Sequence, residues 1–169
     1  MIEELQGHII DKQIDEIVEI IIRQYRGYRN LINSPSFRQL FAEEYAPHKK
    51  QHTVSWAISS AFPSNTTIAD NLQISRLKYG RGHTRPLLSN DSIQMHILNT
   101  TSDFGANYLN TFYQKNSNQF SGETLYCYIK FQVKNQKLVS ISLCLPNETG
   151  EIVHEEVLLG NSAIITLVA

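Results

Sequence analysis

The densest chemistry in this sequence lies in ten consecutive residues, Arg76-Leu77-Lys78-Tyr79-Gly80-Arg81-Gly82-His83-Thr84-Arg85. Three arginines and a lysine supply donors suited to phosphate, and arginine can grip it through two parallel hydrogen bonds. Gly80 and Gly82 let the backbone approach a ligand closely, and successive N–H groups in such a stretch can cup an anion. Tyr79 offers a ring on which an unpaired base can stack. His83 titrates near neutral pH and is the candidate catalytic group of the stretch. Upstream, Lys49 and Lys50 extend the positive charge. The candidate nucleic-acid-binding set is therefore Lys49, Lys50, Arg76, Lys78, Tyr79, Arg81 and Arg85. The competing reading is a solvated loop whose charges only keep the chain soluble.

The total charge hides this concentration. The chain has 169 residues, with 15 basic and 16 acidic side chains and a net charge of −1. A global cationic field that would draw in nucleic acid or anionic lipid is absent. Yet residues 47–86 hold six basic residues against the single acid Asp70, while 1–46 and 87–169 are each net acidic. His48, His52 and His83 also fall in the basic middle.

Metal-independent RNA cleavage needs a general base, a general acid and a cation for the developing phosphate charge. His83 with Lys78, Arg81 and Arg85 provides part of that set, and His52 or His96 could be the second histidine. Sequence leaves open whether the three converge. His96, on the polar side of its strand, reads as exposed. There is no HExxH, paired CxxC, Walker A, GxGxxG or GxSxG pattern, so neither a metal nor a cofactor is expected. Cys127 and Cys144 sit inside strands and read as inert thiols. Glu148, Glu151, Glu155 and Glu156 read as a solvated edge that discourages strand pairing.

The elements that must position these residues follow from periodicity. Residues 8–28 carry Ile10, Ile14, Ile17, Val18, Ile21, Tyr25 and Tyr28 at helical spacing, with Gly27 and Asn30 as its end. Ser34-Pro35 opens a second helix that runs to about Ala46 and buries Phe37, Leu40, Phe41 and Tyr45. A third starts after Thr53, carries Val54, Ile58, Ala61 and Phe62, and stops at Pro63-Ser64-Asn65. Leu72–Tyr79 fits a strand, Tyr79 to Pro86 a loop, and Ile93, Met95 and Ile97 a strand with one buried face. Residues 104–115 fit a short helix. Clean alternation over 124–146 predicts a hairpin through Lys134-Asn135-Gln136-Lys137. A three-residue loop there, pairing Phe131 with Ile141, Ile129 with Leu143 and Val133 with Val139, makes one apolar face; a two-residue turn at Asn135-Gln136 would oppose Phe131 to Ser140. Strands at 151–159 and 163–168 complete the pattern.

Helices first and hairpin-linked strands after predict an α+β fold, with N-terminal helices packed on a C-terminal, mostly antiparallel sheet. One domain is expected over 1–169, its helical half at 1–70 and its mainly β half at 71–169. An apolar content of 41% suffices for a core. No stretch approaches the ~20 apolar residues of a membrane span. The N-terminus lacks the pattern of a secretory signal, so the expected location is cytoplasmic, away from membranes. Abundant Asn and Ile suggest an AT-rich bacterial or phage genome. The expected function is a small binding module that contacts RNA or single strands through the basic Gly/Arg/His loop at 76–85. The alternatives are a toxin-like or defence-linked ribonuclease using His83 and its neighbouring arginines, and an inhibitor-like factor with a protein partner. The oligomeric state is left open.

Overall fold

The structure is a computed structural model, and it describes residues 11–41, 57–69, 71–79, 83–99, 125–147 and 151–159. Helix α1 (Asp11–Asn33) is followed by α2 (Pro35–Phe41) and a helical turn over 57–60. Seven strands follow: β1 (Thr67–Ile68), β2 (Leu72–Tyr79), β3 (His83–Ser89), β4 (Ile93–Asn99), β5 (Leu125–Lys134), β6 (Lys137–Pro146) and β7 (Ile152–Leu159). They form one sheet in sequence order. Every neighbouring pair is antiparallel except β4 and β5, which run parallel. This is the α+β layout that the pattern predicted. The predicted helix at 104–115 and strand at 163–168 lie outside the described residues. Among the described residues no helix is long and apolar enough to cross a membrane.

Helix α1 covers one face of the sheet. Its buried stripe is Ile17, Ile21, Tyr25, Tyr28 and Ile32, packed in one cluster with Leu72, Ile74, Leu88, Ile93, Met95, Ile97, Ile129, Phe131 and Ile141. The helix runs straight through Gly27 and Asn30, which were expected to end it. Gly27 is on the exposed side, where its cost is about 1 kcal/mol. Tyr28 and Ile32 carry the apolar stripe past it, and burying each is worth about 1.5–3 kcal/mol. Helix α2 begins as predicted: Phe37 N–H donates to Ser34 Oγ at 3.2 Å, an N-cap ahead of Pro35. Ile58 and Phe62 are fully buried, as the third predicted helix required. The predicted continuations of these two helices, 42–46 and 54–56, lie outside the described residues.

Two strand expectations are corrected. The predicted loop from Tyr79 to Pro86 is mostly strand: β3 begins at His83, and only 80–82 separate it from β2. Pro86 lies within this strand. It is tolerated because the ladder from β3 to β4 covers Leu87 to Ser89 and leaves Pro86 one residue outside it. In the β5–β6 hairpin, Phe131 pairs with Ile141 and Ile129 with Leu143, as predicted. The turn itself has two residues, Asn135 and Gln136, at φ 48° and 65°, closing a Lys134–Lys137 rung. A bulge between Gln132 and Val133 shifts the register, so Val133 pairs with Leu138 rather than Val139. A tight turn and the apolar register demand pairings that differ by one residue, and the bulge reconciles them.

Candidate nucleic-acid interface

The basic segment resolves into a hairpin whose last described rung pairs Tyr79 with His83. Below it, Lys78 pairs with Thr84 and Leu77 with Arg85. The backbone therefore brings Lys78, Tyr79, His83 and Arg85 to one hairpin end, with the three-residue connection 80–82 beyond them. Arg81 lies outside the described residues, as do Lys49, Lys50 and His52. For Lys78, Tyr79 and His83 the strands fix the position of the backbone, and their place in the site is one of register.

Arg76 has a different place. It alternates with Leu72 and Ile74, which belong to the core beneath α1. Its Nη2 donates to the carbonyls of Ser59 at 2.9 Å and Phe62 at 3.2 Å. The guanidinium caps the end of the 57–60 helical turn, adding to the Phe62 N–H bond that the Ser59 carbonyl already accepts at 3.3 Å. Arg76 thus joins β2 to that turn, on the side of the sheet opposite to Arg85. The signal was available in the sequence: a residue two and four places beyond core positions on a strand shares their face.

The sheet face away from α1 holds the groups that sequence reading left scattered. Register sets His96, Tyr128, Cys144 and Glu155 side by side on β4 to β7. His96, Tyr128 and Cys144 are fully buried there with Leu98. The expectation of an exposed His96 is corrected, because this face is shielded from water like the other. Burial pulls the His96 pKa down to about 3; the positive charge of Arg85 adds to the effect, and the Pro86 carbonyl opposes it. The imidazole is neutral at physiological pH. Tyr126 and Tyr128 meet edge to face with ring centroids 5.0 Å apart. Lys130 Nζ lies 2.6 Å from Glu155 Oε1, spanning β6. The Glu155 carboxyl is held below its usual range by hydrogen bonds from Lys130 and Ser142, which outweigh its partial burial.

Neither cysteine is an activated nucleophile. Burial pushes the Cys144 thiol up to about 12, with nearby Lys130 and Glu155 acting in opposite directions. Burial raises the Cys127 thiol as well. The two lie on opposite faces, as the register predicted, and both are free thiols. Among the described residues no group of three or more His, Cys, Asp or Glu is placed to hold a metal ion.

His83 and His96 do not converge, and His52 lies outside the described residues. On β3 the partner of His96 is Leu87, four residues from His83. At ~3.3 Å per residue this puts the two histidine backbones about 13 Å apart along the strand. The hairpin end can present positive charge, and His83 has no second histidine beside it among the described residues. Comparison with family models, with curated proteins and with solved structures finds no match to this chain.

Proposed function

We propose that the protein is a nucleic-acid-binding module that takes RNA or single strands at the end of the β2–β3 hairpin. The supporting observation is the Tyr79–His83 rung, which gathers a lysine, an aromatic residue, a histidine and Arg85 at one strand end beside Gly80-Arg81-Gly82. In this reading Lys78, Arg81 and Arg85 engage phosphate, and Tyr79 stacks on an unpaired base. Arg76 supports the hairpin from behind through its bonds to Ser59 and Phe62. Lys49 and Lys50 belong to the proposal through sequence alone. The preference for single strands over duplex rests on Tyr79, whose ring suits an unpaired base.

The test is binding of a labelled RNA at two salt concentrations, with wild type beside Arg81→Ala/Arg85→Ala and the milder Lys78→Ala. Binding that weakens with salt and is lost in the double variant supports the reading. Absence of binding at low salt ends it and turns the search to protein partners. The ribonuclease alternative would appear as RNA cleavage abolished by His83→Ala. The distance between His83 and His96 and the neutrality of His96 weigh against a paired-histidine mechanism.

A further inference from the structure

The net acidity of residues 1–46 conceals a reversal inside α1. Asp11, Asp15, Glu16 and Glu19 fill its first half, whereas from Ile20 to Phe41 the chain has Arg23, Arg26, Arg29 and Arg38 and no carboxylate. A second acid-free stretch runs from Leu125 to Asn147 and contains Lys130, Lys134 and Lys137.

The fold brings these two stretches together. Tyr25 Oη donates to the Gln136 carbonyl at 3.3 Å, fastening the basic half of α1 to the β5–β6 turn. Arg23, Arg26, Lys134 and Lys137 are all exposed, or nearly so, and Arg29 is half-buried. Lys134 and Lys137 are direct cross-strand partners. Like charges so placed repel and weaken a hairpin. Folding alone does not call for this arrangement, and a polyanion bound across it would relieve the repulsion.

Strand direction relates this patch to the β2–β3 hairpin. β2, β4 and β5 all run the same way, so both hairpins turn at the same edge of the sheet. β3 and β5 are two strand spacings apart, about 10 Å, and sheet twist splays their ends further. The patch and the hairpin end are two separate surfaces facing the same side.

We propose that Arg23, Arg26, Lys134 and Lys137 form a second phosphate-contacting surface, which holds the backbone of a nucleic-acid strand that continues beyond the β2–β3 hairpin. The nature of the partner rests on the nucleic-acid reading above; the surface itself rests on independent residues. A ligand too short to span both surfaces gains nothing from it.

The test uses the full chain and two labelled single-stranded RNAs, a dinucleotide and one of about 30 nucleotides, since at ~3.4 Å or more per nucleotide only the dinucleotide is too short to bridge surfaces more than about 10 Å apart. The variant Arg23→Gln/Arg26→Gln/Lys134→Gln/Lys137→Gln leaves the core untouched and removes the Lys134–Lys137 repulsion. It is expected to bind the short RNA like wild type and the long RNA about 10-fold more weakly, with the salt slope reduced by roughly 0.7 for each phosphate that is no longer neutralised. Undiminished binding of the long RNA by this variant overturns the inference while leaving the hairpin reading intact. Loss of long-RNA binding here, with Arg81→Ala/Arg85→Ala unaffected, supports the surface and overturns the hairpin reading. Binding of wild type to anionic vesicles and not to RNA overturns the nucleic-acid assignment of the patch.

Discussion

The two ends of the strands are built differently. At one end every described turn is braced by an asparagine. Asn71 Oδ1 accepts from Gln13 at 3.0 Å and from Asn90 at 3.3 Å. Asn90 Oδ1 accepts from the N–H groups of Ser92 and Ile93, and Asn147 Oδ1 from Glu151 N–H. Helix α1 is clamped at this end, where Gln13 donates to the Ala69 carbonyl at 2.8 Å and Glu16 accepts the Ala69 N–H at 3.2 Å. Asp15, Glu16, Asp91 and Glu151 make it acidic. At the other end α1 is tied to the β5–β6 turn by the 3.3 Å bond of Tyr25. The closing rung of the turn there pairs two lysines. Stability is invested at the acidic end, while the basic end gathers like charge at a cost to the fold. Among the described residues, charge is therefore polarised along the strands.

Between the two ends lies His96, the source of the largest expected effect. Its folded pKa, about 3, is below the ordinary 6.5, so the unfolded chain binds the extra proton as pH falls. Stability from this site is full above pH 6.5 and is lost below it, by about 1.4 kcal/mol per pH unit and about 2 kcal/mol at pH 5. Thermal melts at pH 7, 6 and 5 should show this decline in wild type and a flatter one in His96→Gln. Glu155, whose carboxyl is held below 4.5, adds its own loss only at lower pH. Equal slopes in the two proteins would show that His96 is not held neutral.

Next in size is the acidic-end clamp. Gln13→Ala removes two hydrogen bonds from a buried amide, and a cost of about 1–2 kcal/mol is expected in urea melts. At the basic end Tyr25→Phe removes one long bond and should cost about 0.5 kcal/mol. Should the order reverse, the contrast between a braced and a lightly tied end fails. The smallest effect carries the most information. Lys137→Glu turns a repulsive rung into an attractive one and should stabilise the hairpin by about 0.5 kcal/mol. The same change should weaken RNA binding. Stability and binding moving in opposite directions separate a functional lysine from a merely tolerated one.

How legible all this was depends on whether the signal was local. The α1 stripe, the Ser34-Pro35 cap and the Ile129–Leu143 register follow from spacing or from adjacent residues, and they stand. The bulge at Gln132/Val133 was hidden because the turn and the apolar face favour different registers, and either could be satisfied alone. Strand β3 is not legible in the Tyr79 to Pro86 segment because its order comes from the ladder to β2, which no local alternation there announces. His96 read as exposed because one strand's alternation does not reveal what shields its polar side. Arg76 was grouped with its basic neighbours although strand parity placed it on the core face. The basic end escaped notice because its parts, Arg23 to Arg29 and Lys134 to Lys137, lie more than a hundred residues apart. Charge summed over 1–46 cancelled the first of them.

The most direct test of the central claim is the salt dependence of RNA binding with the two ends neutralised separately. Wild type, Arg81→Ala/Arg85→Ala and the acidic-end control Asp91→Asn/Glu151→Gln would be titrated with a labelled single strand between about 50 and about 200 mM salt. The account predicts that wild type and the acidic-end control bind alike and lose affinity as salt rises, and that the basic-end variant binds at least ~10-fold more weakly at the lower salt. Failure of wild type to bind at low salt, or equal binding by the basic-end variant, would contradict it.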